Sequence, residues 1–458
     1  MGFRLPAIPQ CWARNWPDSD RSFFVRSHPS PEWSYHGGMT PQPDSPSVLS
    51  FENARRLVQE QASRIRLHTA VAPGATEGVD LLAAAGRVLA DPVVADRDIP
   101  PFPRSTRDGY ALCSSDLSQL PAMLEVIGEI RAGENPNLLP AHVDPGQAVS
   151  IMTGAPVPAE TDAVVMVEYT SRRGNRVEIT REVVPGENIV ARGAEARQGG
   201  LLVDRGVRLN DAAIALAASV GKSRVEVYKR PRIAVLTTGD EIVGVDATPG
   251  RTQIRNSNSY SLAAQVLASG GVPVLLPIAP DETEKLRRLI ELGLQSDLLL
   301  LTGGVSLGRY DLVEQVLAEL GAEFFFTGAR IQPGRPVVFG RVRSEEHKYF
   351  FGLPGNPVST MVTFELFARV MIEALAGMAS RELTFLHARL ASEIRVKSGL
   401  RRFLPAMLSG EFENSQVHLV AWQGSGDIAA TARANCYVVV PPDREFIAEG
   451  EWVGVMLR

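Results

Sequence analysis

The chain has 458 residues, 45% of them hydrophobic and 22% charged, which is enough apolar material for several cores and predicts roughly three to four domains. Its net charge of −5, with no Lys/Arg run, argues against a nucleic-acid or membrane-surface partner. The three cysteines are far apart in sequence, the seven histidines show no metal-ligand spacing, and no apolar run reaches the ~18 residues a membrane span needs. A disulfide framework, a zinc site and a spanning helix are thereby excluded, and a cytoplasmic protein whose metal would be hard and carboxylate-bound is expected.

Residues 1–48 carry eight prolines and no periodic apolar face, which predicts a disordered extension; Met39 offers an alternative start. Ser50 is placed to cap a helix reaching about Leu67, with Phe51, Ala54, Leu57, Val58 and Ile65 on one face, and a second helix is expected over Asp80–Ala90. From Pro92 to about Val190 short β-rich runs alternate with Pro and Gly. Helical texture returns at Asp211–Val220, capped by Asn210 and closed by Gly221, and Val225–Tyr228 reads as a strand. The β stretch is therefore an expected insertion within a helical module.

Beyond Arg232, strands at 233–236, 272–278, 298–301, 324–326, 336–339 and 349–351 are interspersed with helices at 259–268, 282–294, 309–321 and 357–375, a pattern that predicts a mostly parallel, doubly wound α/β domain. Its centre is Leu298–Leu301, four leucines in a strand buried on both faces, which ends abruptly at Thr302-Gly303-Gly304. Two further turns, Thr238-Gly239-Asp240-Glu241 and Gly352-Leu353-Pro354-Gly355-Asn356-Pro357, also follow strands. The three are expected to meet at one sheet edge, where backbone N–H groups can receive an anion. Asp240, Glu241, Asp281 and Asp311 would line the same crevice as hard-metal ligands, with helix capping the simpler reading of Asp281. The last ~80 residues, with turns at Ser398-Gly399, Ser409-Gly410 and Gly424–Gly426, read as a small β domain.

Six separated motifs carry a resemblance that runs from about Ser50 to Arg458: Pro100–Ala111, Ile151–Pro158, Thr238–Glu241, Thr302–Asp311, Pro333–Pro336 and Gly352–Ser359. In these the chain resembles the molybdopterin molybdotransferases, the family of bacterial MoeA and the gephyrin E domain. The resemblance implies a homodimer with the active cleft between the α/β domain, of molybdopterin-binding type, and the partner's inserted β domain. It implies a reaction in which molybdate and adenylylated molybdopterin react with Mg²⁺ assistance to release AMP. As partners it implies the molybdopterin adenylyltransferase and acceptor molybdoenzymes. The implied division is an extension at 1–48, an elongated linker module at 49–91 plus 195–229, the inserted β domain at 92–194, the α/β domain at 230–378 and the C-terminal β domain at 379–458.

By the same resemblance, Thr153, Glu195, Asp311 and Asp108 are catalytic. Ser105, Thr238, Gly303, Gly304, Ser306, Arg330, Arg335, Pro354, Gly355, Asn356, Ser359 and Ser425 bind substrate, and Glu241, Asp240, Asp281 and Asp311 hold the metal. For Thr153 and Asp108, the residues alone read as turn formers. The chain departs from the family where Gln332 and Gly328 replace usual lysines and where Gly399–Pro405 displaces two arginines. In a strand around Ile331, Arg330 shares a face with Gln332, so its guanidinium is expected to supply the missing cation. A non-catalytic scaffold on the same fold and an adenylyltransferase remain as alternatives.

Overall fold

The computed structural model describes residues 48–72, 74–134, 142–304, 312–343, 347–379 and 382–458. Apart from Val48, the predicted extension lies outside these residues. No helix among them is long and apolar enough to cross a membrane.

Ser50 does cap a helix, α1 (Phe51–Val71): its side chain accepts from the Asn53 N–H at 3.2 Å. The apolar stripe of α1, from Phe51 through Ala54, Val58 and Ala62 to Ile65, is buried in the same core as Ile233, Val235, Leu298 and Phe367, so α1 packs on the α/β domain. The Phe51 ring meets Phe367 and Phe403 at centroid distances of 6.1 and 5.6 Å.

The helix expected over Asp80–Ala90 does not form. Thr76–Asp80 is a strand paired with Arg224–Tyr228, only Leu81–Ala84 makes a short 3₁₀ turn, and Gly86 takes φ 73°. Leu89 then bridges Val227, because burying Ala84, Leu89 and Val93 against Val225 and Val227 outweighs helical propensity. Val93–Val94 pairs with Leu201–Val203, and α2 (Asp211–Ser219), capped by Asn210, closes this small core. Strands on both sides of the insertion thus bind each other, and the insertion folds as a separate unit. Its six-stranded mixed sheet runs Ala163–Met166, Gly109–Leu112, Gln147–Ile151, Ala122–Ile130, Arg176–Ile179, Thr170–Arg173, around its own buried cores.

The α/β domain contains β1 (Arg232–Thr237), α3 (Asn258–Ala268), β2 (Val272–Leu275), α4 (Thr283–Gly293), β3 (Leu298–Thr302), α5 (Leu312–Glu319), β4 (Ala322–Phe326), β5 (Val338–Val342) and β6 (Lys348–Leu353). It ends in α6 (Pro357–Thr363) and α7 (Arg369–Leu375), joined by a π-turn at Phe364–Ala368. The sheet order is β2-β1-β3-β6-β5-β4, with β3 at its centre and buried on both faces. The first four strands are parallel, but β5 pairs antiparallel with both β6 and β4. This corrects the expectation of alternating crossovers in that stretch: among the described residues no helix separates β4 from β5 or β5 from β6, and a parallel return needs one.

The C-terminal sheet closes on itself as a five-stranded barrel of Arg401–Ser409, Gln416–Leu419, Leu386–Leu390, Trp452–Leu457 and Cys436–Val440, the last pairing back to the first. Ile331–Gln332 of the α/β domain adds to it in parallel, opposite Arg401–Arg402. That added strand brings the C-terminal domain to the crevice.

Candidate functional site

In the sheet, Thr237, Thr302 and Leu353 stand in register across three adjacent parallel strands, so the turns that follow emerge side by side. They touch. Gly303 (φ 90°) and Gly304 (φ 62°) turn back over Thr238; a Cβ on Gly303 would collide with the Thr238 carbonyl oxygen, and one on Gly304 would come within 2.9 Å of Thr238 Oγ1. A Cβ on Gly355 would lie 3.5 Å from Gly303 Cα. The three turns therefore form one backbone surface at the carboxyl edge of the sheet, the place where an open α/β sheet receives a ligand.

A belt of buried polar side chains supports this surface. Asn258, the first residue of α3, donates from Nδ2 to Thr302 Oγ1 at 2.9 Å and to the Gly355 carbonyl at 2.7 Å. Thr302 donates onward to the Pro354 carbonyl at 3.1 Å, which Thr360 also reaches. Beneath them Asn256, Ser259 and Thr237 bond one another. These residues escaped the sequence reading because the run Asn256-Ser257-Asn258-Ser259 looks like ordinary polar residues ahead of a helix. Only its burial between two strand ends marks it out.

Among the carboxylates, Asp240 Oδ1 accepts from the Asp281 backbone N–H at 3.1 Å, and Glu241 folds its carboxylate over Gly239. Partial burial pushes the Asp281 carboxyl above the usual carboxylate range, and the negative charges of Asp240 and Glu241 push it the same way. Three oxygen-donor side chains thus face mutual repulsion that a hard cation relieves, so their chemistry fits Mg²⁺. As they stand, no group of three or more metal-ligating side chains among the described residues is arranged to hold an ion. Asp311 and Ser306 lie outside the described residues.

At the start of α6, Asn356 does not cap the helix with its side chain; instead Nδ2 donates to Ser425 Oγ at 2.9 Å, and the Val358 N–H donates to the Ser425 carbonyl at 3.0 Å. Ser425 is thereby joined to the Gly355 turn. Ser359 is buried, and its carbonyl accepts from Thr363. Around Gly334 the chain approaches Ser359 and Thr363 so closely that a Cβ would overlap the Thr363 methyl. This close approach sets the Arg330–Arg335 segment beside the first turn of α6. Arg330, Gln332 and Arg335 are exposed and Ile331 is buried, in keeping with a shared face for Arg330 and Gln332.

The nearest cation to Gln332 is nonetheless a different one. Arg402, 6% exposed, donates from Nε to Gln332 Oε1 at 2.8 Å and from a terminal nitrogen to the Leu400 carbonyl at 3.2 Å. Burial lowers its pKa, and a guanidinium stays charged regardless. Seventy positions separate the two residues in sequence, and strand pairing alone brings them together.

In the inserted β domain, Asp108 accepts from both the Thr153 N–H (2.6 Å) and the Thr153 hydroxyl (2.8 Å). These two bonds, the backbone one first, hold the Asp108 carboxyl below its ordinary range. The Thr153 hydroxyl proton is thus committed to Asp108, leaving the oxygen lone pairs outward. Glu195 pairs with Arg104 at 2.7 Å, an exposed contact that orients more than it stabilises. Ser105, expected to bind substrate, is 1% exposed, and its hydroxyl donates to the Arg107 carbonyl and accepts from the Arg107 N–H. Asp108, Thr153 and Glu195 are exposed, and among the described residues no hydrogen bond or ion pair links residues 95–194 to the α/β domain. Within one chain, then, the candidate site lies in two parts.

Three family models match consecutive parts of the chain: the MoeA N-terminal region (domain I and II) over residues 49–221, a probable molybdopterin binding domain over 234–374, and the MoeA C-terminal region (domain IV) over 387–457. A molybdopterin molybdenumtransferase of Nostoc sp. is 36% identical over 388 residues, covering 83% of this chain and 88% of its own length. One of Bacillus subtilis is 30% identical over 393 residues, covering 84% and 90%. Among solved structures, a molybdopterin biosynthesis MoeA protein of Pyrococcus horikoshii is 28% identical and aligns over 90% of this chain and 100% of its own, with a TM-score of 0.69.

Proposed function

Since this chain belongs to the MoeA family of molybdenum cofactor biosynthesis, we propose that it is a cytoplasmic transferase that inserts molybdate into adenylylated molybdopterin and releases AMP. The observation that carries this reading is the joined backbone surface that Gly303, Gly304 and Gly355 form against Thr238, whose glycine N–H groups suit a phosphate ester at the carboxyl edge of the sheet. Thr238, Gly303, Gly304, Pro354, Gly355, Asn356 and Ser425 bind the adenylylated pterin there together with Ser306, and Ser359 supports the turn. Arg330 and Arg335 meet the oxyanion, and Arg402 holds Gln332 beside them. Glu241, Asp240, Asp281 and Asp311 are the ligands for Mg²⁺, which when bound neutralises charge on the phosphate.

Asp108 orients the Thr153 hydroxyl toward the reacting groups, and Glu195 is held by Arg104. Because these three are exposed and, among the described residues, no hydrogen bond or ion pair ties their domain to the α/β domain of their own chain, we assign them to the crevice of a second copy, in a homodimer with shared sites. The adenylyltransferase that supplies the substrate and the molybdoenzymes that accept the product are the corresponding protein partners. No feature of the described residues favours the scaffold or adenylyltransferase readings. Incubating the purified protein with adenylylated molybdopterin, molybdate and Mg²⁺ and following AMP tests the assignment; molybdate-dependent AMP release is expected, and its absence would overturn it.

A further inference from the structure

Asn258 is 8% exposed and lies between two of the ligand turns, touching neither the carboxylates nor the arginines of the site. Its amide orientation is dictated by chemistry: the Gly355 carbonyl can only accept, so the group facing it is Nδ2. Thr302 donates its proton to the Pro354 carbonyl and so receives one from Asn258. The result is a one-way chain, Asn258 to Thr302 to Pro354, with a branch to Gly355. It ties the strand end that precedes Gly303-Gly304 to the turn that precedes α6. Oδ1 is left buried with no hydrogen-bond partner among the described residues. Thr238 Oγ1, which lies against Gly304, is likewise buried and without one. Two buried oxygens without partners therefore belong to residues that bond or abut the same glycine turn, an arrangement that a donor group of a bound ligand would complete.

From this geometry we infer that Asn258 is a positioning residue: it fixes the spacing between the Gly303-Gly304 and Gly355-Asn356 turns, and its Oδ1 is the acceptor for an N–H or O–H donor of the nucleotide-bearing ligand. The inference rests on the molybdotransferase reading for the identity of that ligand. The Asn256 side chain, two residues earlier, bonds only Thr237 and Ser259 and reaches neither the Gly303-Gly304 nor the Gly355-Asn356 turn, so it serves as an internal control for a merely structural role.

The test uses the full-length protein and two readouts, the dissociation constant for AMP and the KM for each substrate, alongside the melting temperature. Asn258→Asp keeps the acceptor and removes both donors, while Thr302→Val breaks the chain without adding charge. Each is expected to weaken AMP binding and raise the KM for the adenylylated pterin by about ten-fold or more, with the KM for molybdate held within about two-fold. Asn256→Ala is expected to lower the melting temperature while leaving AMP affinity near wild type. Unchanged AMP affinity in Asn258→Asp and Thr302→Val would overturn the inference, as would an equal loss in all three variants that follows their melting temperatures. A wild type that binds AMP but releases none from the adenylylated pterin refutes the proposed reaction; the AMP affinities still decide the role of Asn258. A wild type that binds no AMP overturns both.

Discussion

The guanidinium of Arg402 donates to the side-chain oxygen of Gln332 at 2.8 Å, across the pair of strands that joins the α/β domain to the C-terminal barrel. Gln332 stands where the family resemblance leads one to expect a lysine, and the buried arginine bonded to it returns a positive charge to that position from a different strand.

Arg330, assigned with Arg335 to the oxyanion, and Arg402, which holds Gln332 beside them, are therefore both expected to affect molybdate binding. A charge-assisted hydrogen bond is worth about 1.5–3 kcal/mol. Arg330→Ala is expected to raise the molybdate concentration for half-maximal AMP release about ten-fold with little change in melting temperature, since Arg330 is exposed. Arg402→Ala is expected to raise it as much and to lower the melting temperature as well, because it leaves a buried site without its hydrogen bonds. Gln332→Ala alone should change it little. Molybdate titrations and thermal scans of the three variants check this; an unchanged molybdate dependence in Arg330→Ala would refute its role at the oxyanion.

Asp108 and Thr153 form one unit. Asp108→Asn removes the charged acceptor of two hydrogen bonds, so turnover is expected to fall about 10²-fold, while the melting temperature stays within about 2 °C of wild type because both residues are exposed. Steady-state kinetics and a thermal scan check this; a large loss of stability with unchanged turnover would make the pair a turn clamp only.

A shared cleft has an arithmetic signature. If Thr153 and Asp311 serve the same site from different subunits, equal mixing and reassociation of Thr153→Ala and Asp311→Asn proteins makes about half of the dimers mixed, each with one intact site. AMP release is then expected to recover to about a quarter of wild type from two inactive parents. Sedimentation should show a dimer, and a stable active monomer would refute the arrangement.

The carboxylates beside Gly239 predict a pH and metal dependence. Burial and then the charges of Asp240 and Glu241 raise the Asp281 pKa, so in the folded state this group holds its proton more tightly than in the unfolded chain. The sign follows: the strain is absent below the unfolded pKa and develops as pH rises through the folded value, where the ionised carboxylate destabilises the fold. Asp281→Asn is therefore expected to raise the melting temperature at pH 7 without metal by about 1–2 °C, a small gain because Asp281 is exposed and screened. The gain should vanish near pH 3 and should reverse when Mg²⁺ stabilises the wild type. Differential scanning calorimetry at the two pH values, with and without Mg²⁺, measures this.

Much of the crevice was legible from the chain alone because its parts are local. Four leucines after Asp297 define a strand buried on both faces, Gly303 and Gly304 end it, and Asn356-Pro357 opens a helix; each follows from neighbouring residues and backbone sterics. Helix and strand positions beyond Arg232 could be read for the same reason. Where local propensity competed with burial, the reading failed: Asp80–Ala90 has a helical pattern, yet its Ala84 and Leu89 are buried against a strand about 140 positions later. The antiparallel β5 also escaped, since a strand's direction depends on which neighbours it finds.

What the sequence by itself determined, then, is the set of elements, the glycine turns at the strand ends and the membership in a family whose motifs stand at separated points along the chain. Tertiary structure alone decided that Thr237, Thr302 and Leu353 share one register, that Asn258 binds two turns at once, that Arg402 lies under Gln332, and that Asp108 takes the Thr153 proton. The physical reason is range. Backbone preference and hydrophobic period act over a few residues, whereas a hydrogen bond forms between whichever groups packing brings within about 3 Å, however far apart they lie in the chain.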